Sequence, residues 1–153
     1  MNILTEARRA LLARLENITI ENGYRTNAGH NVRSGWFNEV IKEVEVSYPL
    51  IVVQPAAGLQ PSPGPNALKM GQGYRVVGAV SAGLEYEDDL DDLHLDLLQC
   101  LVPEVGRFPK WLPLGVTNIQ IGAPDVYPPG DGVSAAAVLV PVHLNTIVEG
   151  IRK

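Results

Sequence analysis

Apolar and polar residues alternate most regularly from Tyr74 to Ala82. Tyr74, Val76, Val80 and Ala82 share one side of an extended chain; Arg75, Val77, Ala79 and Ser81 share the other. Side chains alternate faces along a strand, so the pattern predicts a central strand with one face on a core and one mixed. A β-rich run from Tyr48 to Gln54 precedes it. Val116 to Gly122 alternates in the same way. Ser134 to Ile147 predicts a long strand with Ala136, Val138, Val140, Val142 and Leu144 on one face. Pro141 lacks an amide hydrogen and predicts an edge or a bulge in that strand. Glu39 to Ser47 sets Val44 and Val46 against Glu43 and Glu45, which predicts a half-exposed strand, with Pro49 at an edge or bulge beyond it.

Two segments change period. Leu4, Ala7, Leu11 and Leu15 recur at helical spacing and predict a helix over Ile3–Leu15, with Ile18 extending the stripe. Asn2 is its expected N-cap, because the side-chain oxygen can accept a free amide hydrogen of the first turn. Arg8, Arg9 and Arg14 fall off the stripe and predict a solvated polar face. The second helix runs from Asp88 to Leu101, with Leu90, Leu93, Leu97, Leu98 and Leu101 as its apolar stripe. Glu85, Glu87, Asp88, Asp89, Asp91 and Asp92 crowd its start, where carboxylates match the positive end of the helix dipole. Their spacing is not that of a calcium loop, which needs a D-x-D-x-D-G run and a distant bidentate Glu. His94 lies beside the stripe as a packing or surface residue.

The connections are rich in breakers. Gly23, Gly29, Gly35, Asn27 and Asn31 make Glu21 to Gly35 a turning segment without the spacing of a dinucleotide or phosphate loop. Gln54 to Gly73 holds four prolines and four glycines, and predicts a long loop excursion between two neighbouring strands. Pro103 to Gly115 predicts an irregular link anchored by Phe108 and Trp111, and Ala123 to Gly132 a turn. The sum is an α/β (α+β) domain over residues 1–153. A mainly antiparallel sheet of about four to five strands is flanked by an N-terminal helix and a central acidic helix.

Charge and chemistry narrow the function. With 12 basic against 17 acidic residues the chain has a net charge of -5, which argues against gripping nucleic-acid phosphates. Cys100 is the single cysteine, so no intrachain disulfide and no CxxC site exists; between Leu98 and Leu101 it reads as a buried, inert thiol. Glu6, Arg8 and Arg9 interrupt the apolar start that a secretory leader requires, and no apolar run reaches the roughly 20 residues of a membrane helix. A protein assembled in a cytoplasm is expected. Ser34, His30 and Asp131 could be named as a triad, but no G-x-S-x-G elbow supports them and the three histidines share no metal-ligand spacing. Neither catalysis nor a cofactor is expected.

The order of elements carries a resemblance. An N-terminal helix, the G-Y-R-T-N-A-G turn at Gly23 to Gly29 and a strand ending P-L-I-V-V at Pro49 to Val53 come first. A long excursion, the strand Y-R-V-V-G-A-V at Tyr74 to Val80, an acidic leucine helix and a closing V-L-V-P-V-H-L strand at Val138 to Leu144 follow. This chain resembles the tail terminator (tail completion, minor tail) proteins of long-tailed bacteriophages over nearly its whole length. The resemblance implies a structural virion protein, assembled in the bacterial host cytoplasm as a ring of six copies. Such a ring caps the head-proximal end of the tail tube, stops its polymerisation and meets a head-neck connector or stopper, while DNA passes through the lumen. A connector or stopper of the neck, or a monomeric ligand-binding α/β domain, are the alternatives. Tyr24, Arg25, Asn27, Leu59, Leu68 and Met70 are the candidate contacts to the next subunit or the tube. Charge reversal at Arg25 is expected to weaken the ring and leave the monomer folded. Glu85, Glu87, Asp88, Asp89, Asp91 and Asp92 are the candidate lumen or partner-facing charges, with a collar of Arg8, Arg9 and Arg14 as the opposite arrangement.

Overall fold

The structure, a computed structural model, describes residues 1–43, 46–103, 106, 108–130 and 134–151. Helix α1 (Ile3–Leu15) begins where Asn2 accepts a hydrogen bond from the Thr5 amide at 2.9 Å, a cap worth about 1 kcal/mol. Two short 3₁₀ turns, Ile20–Asn22 and Ala28–His30, lead to strand β1 (Val32–Ser34) and a one-turn helix α2 (Phe37–Val40). Then come β2 (Leu50–Gly64), β3 (Ala67–Ser81), helix α3 (Tyr86–Leu101), β4 (Val116–Ile121), β5 (Asp125–Tyr127) and β6 (Ala135–Glu149).

The fold is α+β with one six-stranded sheet in the order β1-β2-β3-β6-β4, and β5 paired beside β4 on β6. Only the β1–β2 pair is parallel. β3 is central, as its alternation predicts: Tyr74, Val76 and Val80 enter the main core under α1 and α3, while Val77 and Ala79 enter a smaller cluster on the other face. From β6, Ala136, Val138, Val140, Val142 and Leu144 join the main core. α1 adds Ala7, Leu11 and Leu15, followed by Ile18, all fully buried; each large side chain contributes about 1.5–3 kcal/mol. α3 crosses β3 where Gly78 leaves room: a Cβ there would sit 2.9 Å from both Leu93 and Leu97.

Several expectations are corrected. The sheet has six strands, because tertiary pairing recruits the three-residue β1 and β5, the latter inside the segment expected to be only a turn. Phe37 to Val40 is helical and Ile41 to Glu43 turns, so Glu39–Glu43 is not strand; Val44 and Glu45 lie outside the described residues, and Val46 packs on the smaller cluster. Leu4 is 41% exposed and off the α1 stripe. Phe108, 74% exposed, is no anchor; Trp111 and Leu112 fill that role.

Pro141 stands in an inner strand, not at an edge or bulge. Its carbonyl accepts from the Gly122 amide at 2.8 Å, so its nitrogen faces the same side. That side is the junction where β5 pairing ends at Leu139 and β4 pairing begins at Val142, so the missing donor falls between two strand pairings and not within either.

The largest correction is the excursion. Gln54 to Gly73 is not a loop: β2 and β3 continue as a hairpin arm whose turn is Pro65-Asn66. Asn66 has a φ of 51°, a conformation asparagine tolerates. The fifteen residues of β3 at about 3.3 Å each make a rib about 50 Å long from arm tip to the start of α3. β6 pairs along all of it, from Ala67 opposite Glu149 to Ser81 opposite Ala135.

Candidate functional site

Three surfaces carry the candidate residues. The first is the turn after α1. Asp96 sits on α3 with its side chain fully buried, and its carboxylate accepts hydrogen bonds from the Arg25 amide (3.0 and 3.1 Å), the Thr26 amide (2.9 Å) and the Thr26 hydroxyl (2.8 Å). The Arg25 guanidinium adds an ion pair at 3.4 Å and donates to Gln99 at 2.8 Å. A buried carboxylate with this many donors is satisfied, and it fixes the turn to the helix. Sequence reasoning missed Asp96. The available signal was its place between Leu93, Leu97 and Cys100, on the buried side of the helical repeat.

The same turn brings Tyr24, half-buried, to Cys100. Burial pushes both the Tyr24 hydroxyl and the Cys100 thiol up from their ordinary values. The thiol donates to the Arg14 carbonyl at 3.2 Å, and the Arg14 Nε donates back to the Cys100 carbonyl at 3.0 Å. The Arg14 guanidinium lies 5.6 Å from the Trp111 ring centroid. Arg14 thus brings a cation to the C-terminal end of α3, whose last turn has none of its own. It belongs to the packing and not to a solvated face. Arg8 donates to the Ser34 hydroxyl at 3.4 Å. Arg25 is likewise an intramolecular contact, so reversing its charge sets a second carboxylate beside buried Asp96. The expectation that the monomer tolerates Arg25→Glu is withdrawn. Asn27 is exposed, and its side chain accepts from the Ile20 amide at 2.9 Å.

The second surface is the arm, which holds the other interface candidates well away from the turn. Leu68 and Met70 lie on the helix-side face of β3, beyond α1; Leu59 covers Gly71 on the opposite face. Leu59 and Leu68 are each 44% exposed. β2 has two register shifts, between Ala56 and Leu59 and between Leu59 and Ser62. At this kink Gly73 is obligatory, since a Cβ would meet the Ala57 carbonyl oxygen at 2.2 Å. A trough of about 380 Å³, lined by Leu59, Lys69, Met70, Asn118 and Ile147 among others, runs along the arm.

The third surface is the start of α3, at the opposite end of the β3 rib from the arm tip. Glu85, Glu87, Asp88, Asp89, Asp91 and Asp92 are all exposed there, and none is in an ion pair among the described residues. Asp89 and Asp92 border a second hollow of about 380 Å³ with Arg25, Asn27 and Tyr48.

His30 is exposed, Ser34 is taken by Arg8, and Asp131 lies outside the described residues. Among the described residues no group of three or more His, Cys, Asp or Glu is placed to hold a metal ion, and no helix is long and apolar enough to cross a membrane. Compared with known proteins, the chain matches no family model and no curated sequence significantly.

Proposed function

We propose that this chain is a structural subunit of a phage tail, a terminator that forms a ring, of six copies as the resemblance implies, and caps the head-proximal end of the tail tube. The arm is the observation that carries this reading. It projects from the domain with apolar side chains on both faces and no helix over its outer half, as Leu59 and Leu68 attest. Leu59 on one face and Leu68 on the other, each 44% exposed among polar neighbours such as Gln60, Ser62 and Lys69, give each face of the arm an apolar side chain for a partner to cover. Its partners are the adjacent subunit and the tail tube protein. Because β3 and β6 already pair along the arm, its backbone is ordered before assembly and little entropy is lost on docking.

The acidic end of α3 supports the second half of the reading. Six exposed carboxylates in a lumen repel duplex phosphates at short range, and salt limits that repulsion to roughly 8 Å from the wall. DNA then passes without sticking. The basic collar is the weaker arrangement, since Arg14 and Arg8 are engaged within the subunit and half-buried, and Arg9 alone of the three is exposed. The neck side of the ring meets the connector or stopper protein, and the site of action is the virion.

The test is arrest of growth. Added to polymerising tail tube subunits, the protein shortens the tubes in proportion to its amount, and a Leu59→Ser, Leu68→Ser double variant does so less. Tube lengths that are indifferent to the protein overturn the proposal.

A further inference from the structure

The two long edges of the sheet are chemically unlike. In an antiparallel pair, residues alternate between turning their N–H and C=O toward the partner and turning them away. The Gly122 bond to the Pro141 carbonyl fixes that phase for the whole sheet. By it, Val142 turns toward Tyr74 on β3, and Pro55, opposite Tyr74, turns its nitrogen to the free side of β2. At the other end of the arm, Gly64 and Ala67 close the hairpin, so Pro63 also faces outward, and Pro61 falls within the register shift between Leu59 and Ser62. The free edge of β2 therefore lacks donors at Pro55 and Pro63 and is broken by two register shifts, one of which holds Pro61. Prolines and bulges of this kind block the addition of another strand.

β4 forms the other edge; its one register shift, between Val116 and Asn118, lies at its start, and Asn118 to Ile121 pair with β6 without a break. The same phase turns the N–H and C=O of Ile119 and Ile121 away from β6. Among the described residues, no strand and no backbone hydrogen bond lies on their outer side. From Trp111 to Pro124 the chain has no charged residue and β4 has no proline.

We infer that the β4 edge pairs with the β4 edge of a second copy of this chain, antiparallel about a two-fold axis at Ile119. Three observations point to a second copy. The outward groups of Ile119 are self-complementary: across the axis each amide donates to the carbonyl of its mate, which makes a hydrogen-bonded pair. Asn118 then stands opposite Gln120 of the other copy, on the open face of the sheet, with two amides able to bond and no like charges opposed. In a chain of net charge -5, β4 is also an edge where two copies can meet without bringing carboxylates together. The arm, with its edge closed, is left to make contacts through side chains. The β4 pairing is independent of the ring.

The test is the mass of the free protein in light scattering with sedimentation, at tens of micromolar. The wild type is expected at twice 16.5 kDa, or at an even multiple. The Asn118→Lys, Gln120→Lys double variant opposes lysines across the axis and is expected to halve that mass. The Asn118→Lys, Gln120→Glu double variant sets opposite charges across it and is expected to keep the wild-type mass. Both positions are exposed, so circular dichroism should match the wild type in each. Hydrogen exchange at the Ile119 and Ile121 amides is expected to be slow in the pair and at least about tenfold faster in the lysine variant. A wild type that is monomeric, or an assembly whose mass the two lysines leave unchanged, overturns the β4 pairing. An odd-numbered or six-fold assembly that survives the lysines does so while leaving the ring reading in place.

Discussion

Replacing Asp96 by alanine should be among the most damaging single changes outside the apolar core. The carboxylate serves two backbone amides, the Thr26 hydroxyl and the Arg25 guanidinium at a position with no exposed side-chain surface. Arg25 is 41% exposed, so its guanidinium can return to water and is left out of the sum. The two part-buried amides lose the acceptor that the fold provides, and an orphaned buried donor costs about 1–3 kcal/mol. The expected loss is about 2–6 kcal/mol, a large share of the roughly 5–15 kcal/mol that holds a domain folded. For a chain of this size it corresponds to a fall in Tm of about 4–24 °C. Urea unfolding at neutral pH is the assay: the midpoint should drop while the slope stays constant. Asp92→Ala, on the exposed side of the same helix, should change stability by less than about 0.5 kcal/mol. Equal midpoints for the two variants would refute the latch.

Other outcomes follow from the same packing. Leu93→Ala empties the contact over Gly78 and should cost about 2–5 kcal/mol, whereas Gly78→Val forces bulk into Leu93 and Leu97 and should cost about 1–3 kcal/mol, both read by thermal unfolding. Cys100 should resist iodoacetamide in the folded protein and react on unfolding, as its burial and raised pKa require. Its folded pKa lies above the ordinary value of 9.0, so the unfolded chain loses the proton first. Its contribution to stability is therefore present below pH 9.0 and is lost as the pH rises toward the folded value, which urea midpoints above neutral pH should show. In the free subunit, amides of β3 within the arm should exchange slowly, because β2 and β6 flank them; fast exchange there would contradict the ordered arm.

The parts of the fold with strong periodicity were legible. α1 has the predicted bounds, because Asn2 and the Ala7-Leu11-Leu15 spacing act together. β3 and β6 were visible through alternation. The arm was hidden because its prolines and glycines mimic a loop, and only the pairing reveals that Pro55 and Pro63 face the free edge and that Pro61 sits in a register shift. β1 and β5 are three residues each, too short to carry a pattern, and exist because β2 and β6 offer them a partner. In the candidate surfaces, the acidic cluster was legible as an exposed helix start. Arg25 and Arg14 were not legible as internal contacts, since their partners, Asp96 and the Cys100 carbonyl, lie 71 and 86 residues away. Phe108 and Leu4 show the converse error, apolar residues assigned to a core that does not reach them.

The central claim is that this chain closes the end of a tail tube. Negative-stain microscopy of purified tail tubes, with and without the protein, tests it most directly. The account predicts a ring at one end of each tube, with an open centre, and no density along the tube wall. Tubes with bare ends at saturating protein, or protein scattered along their sides, would contradict it.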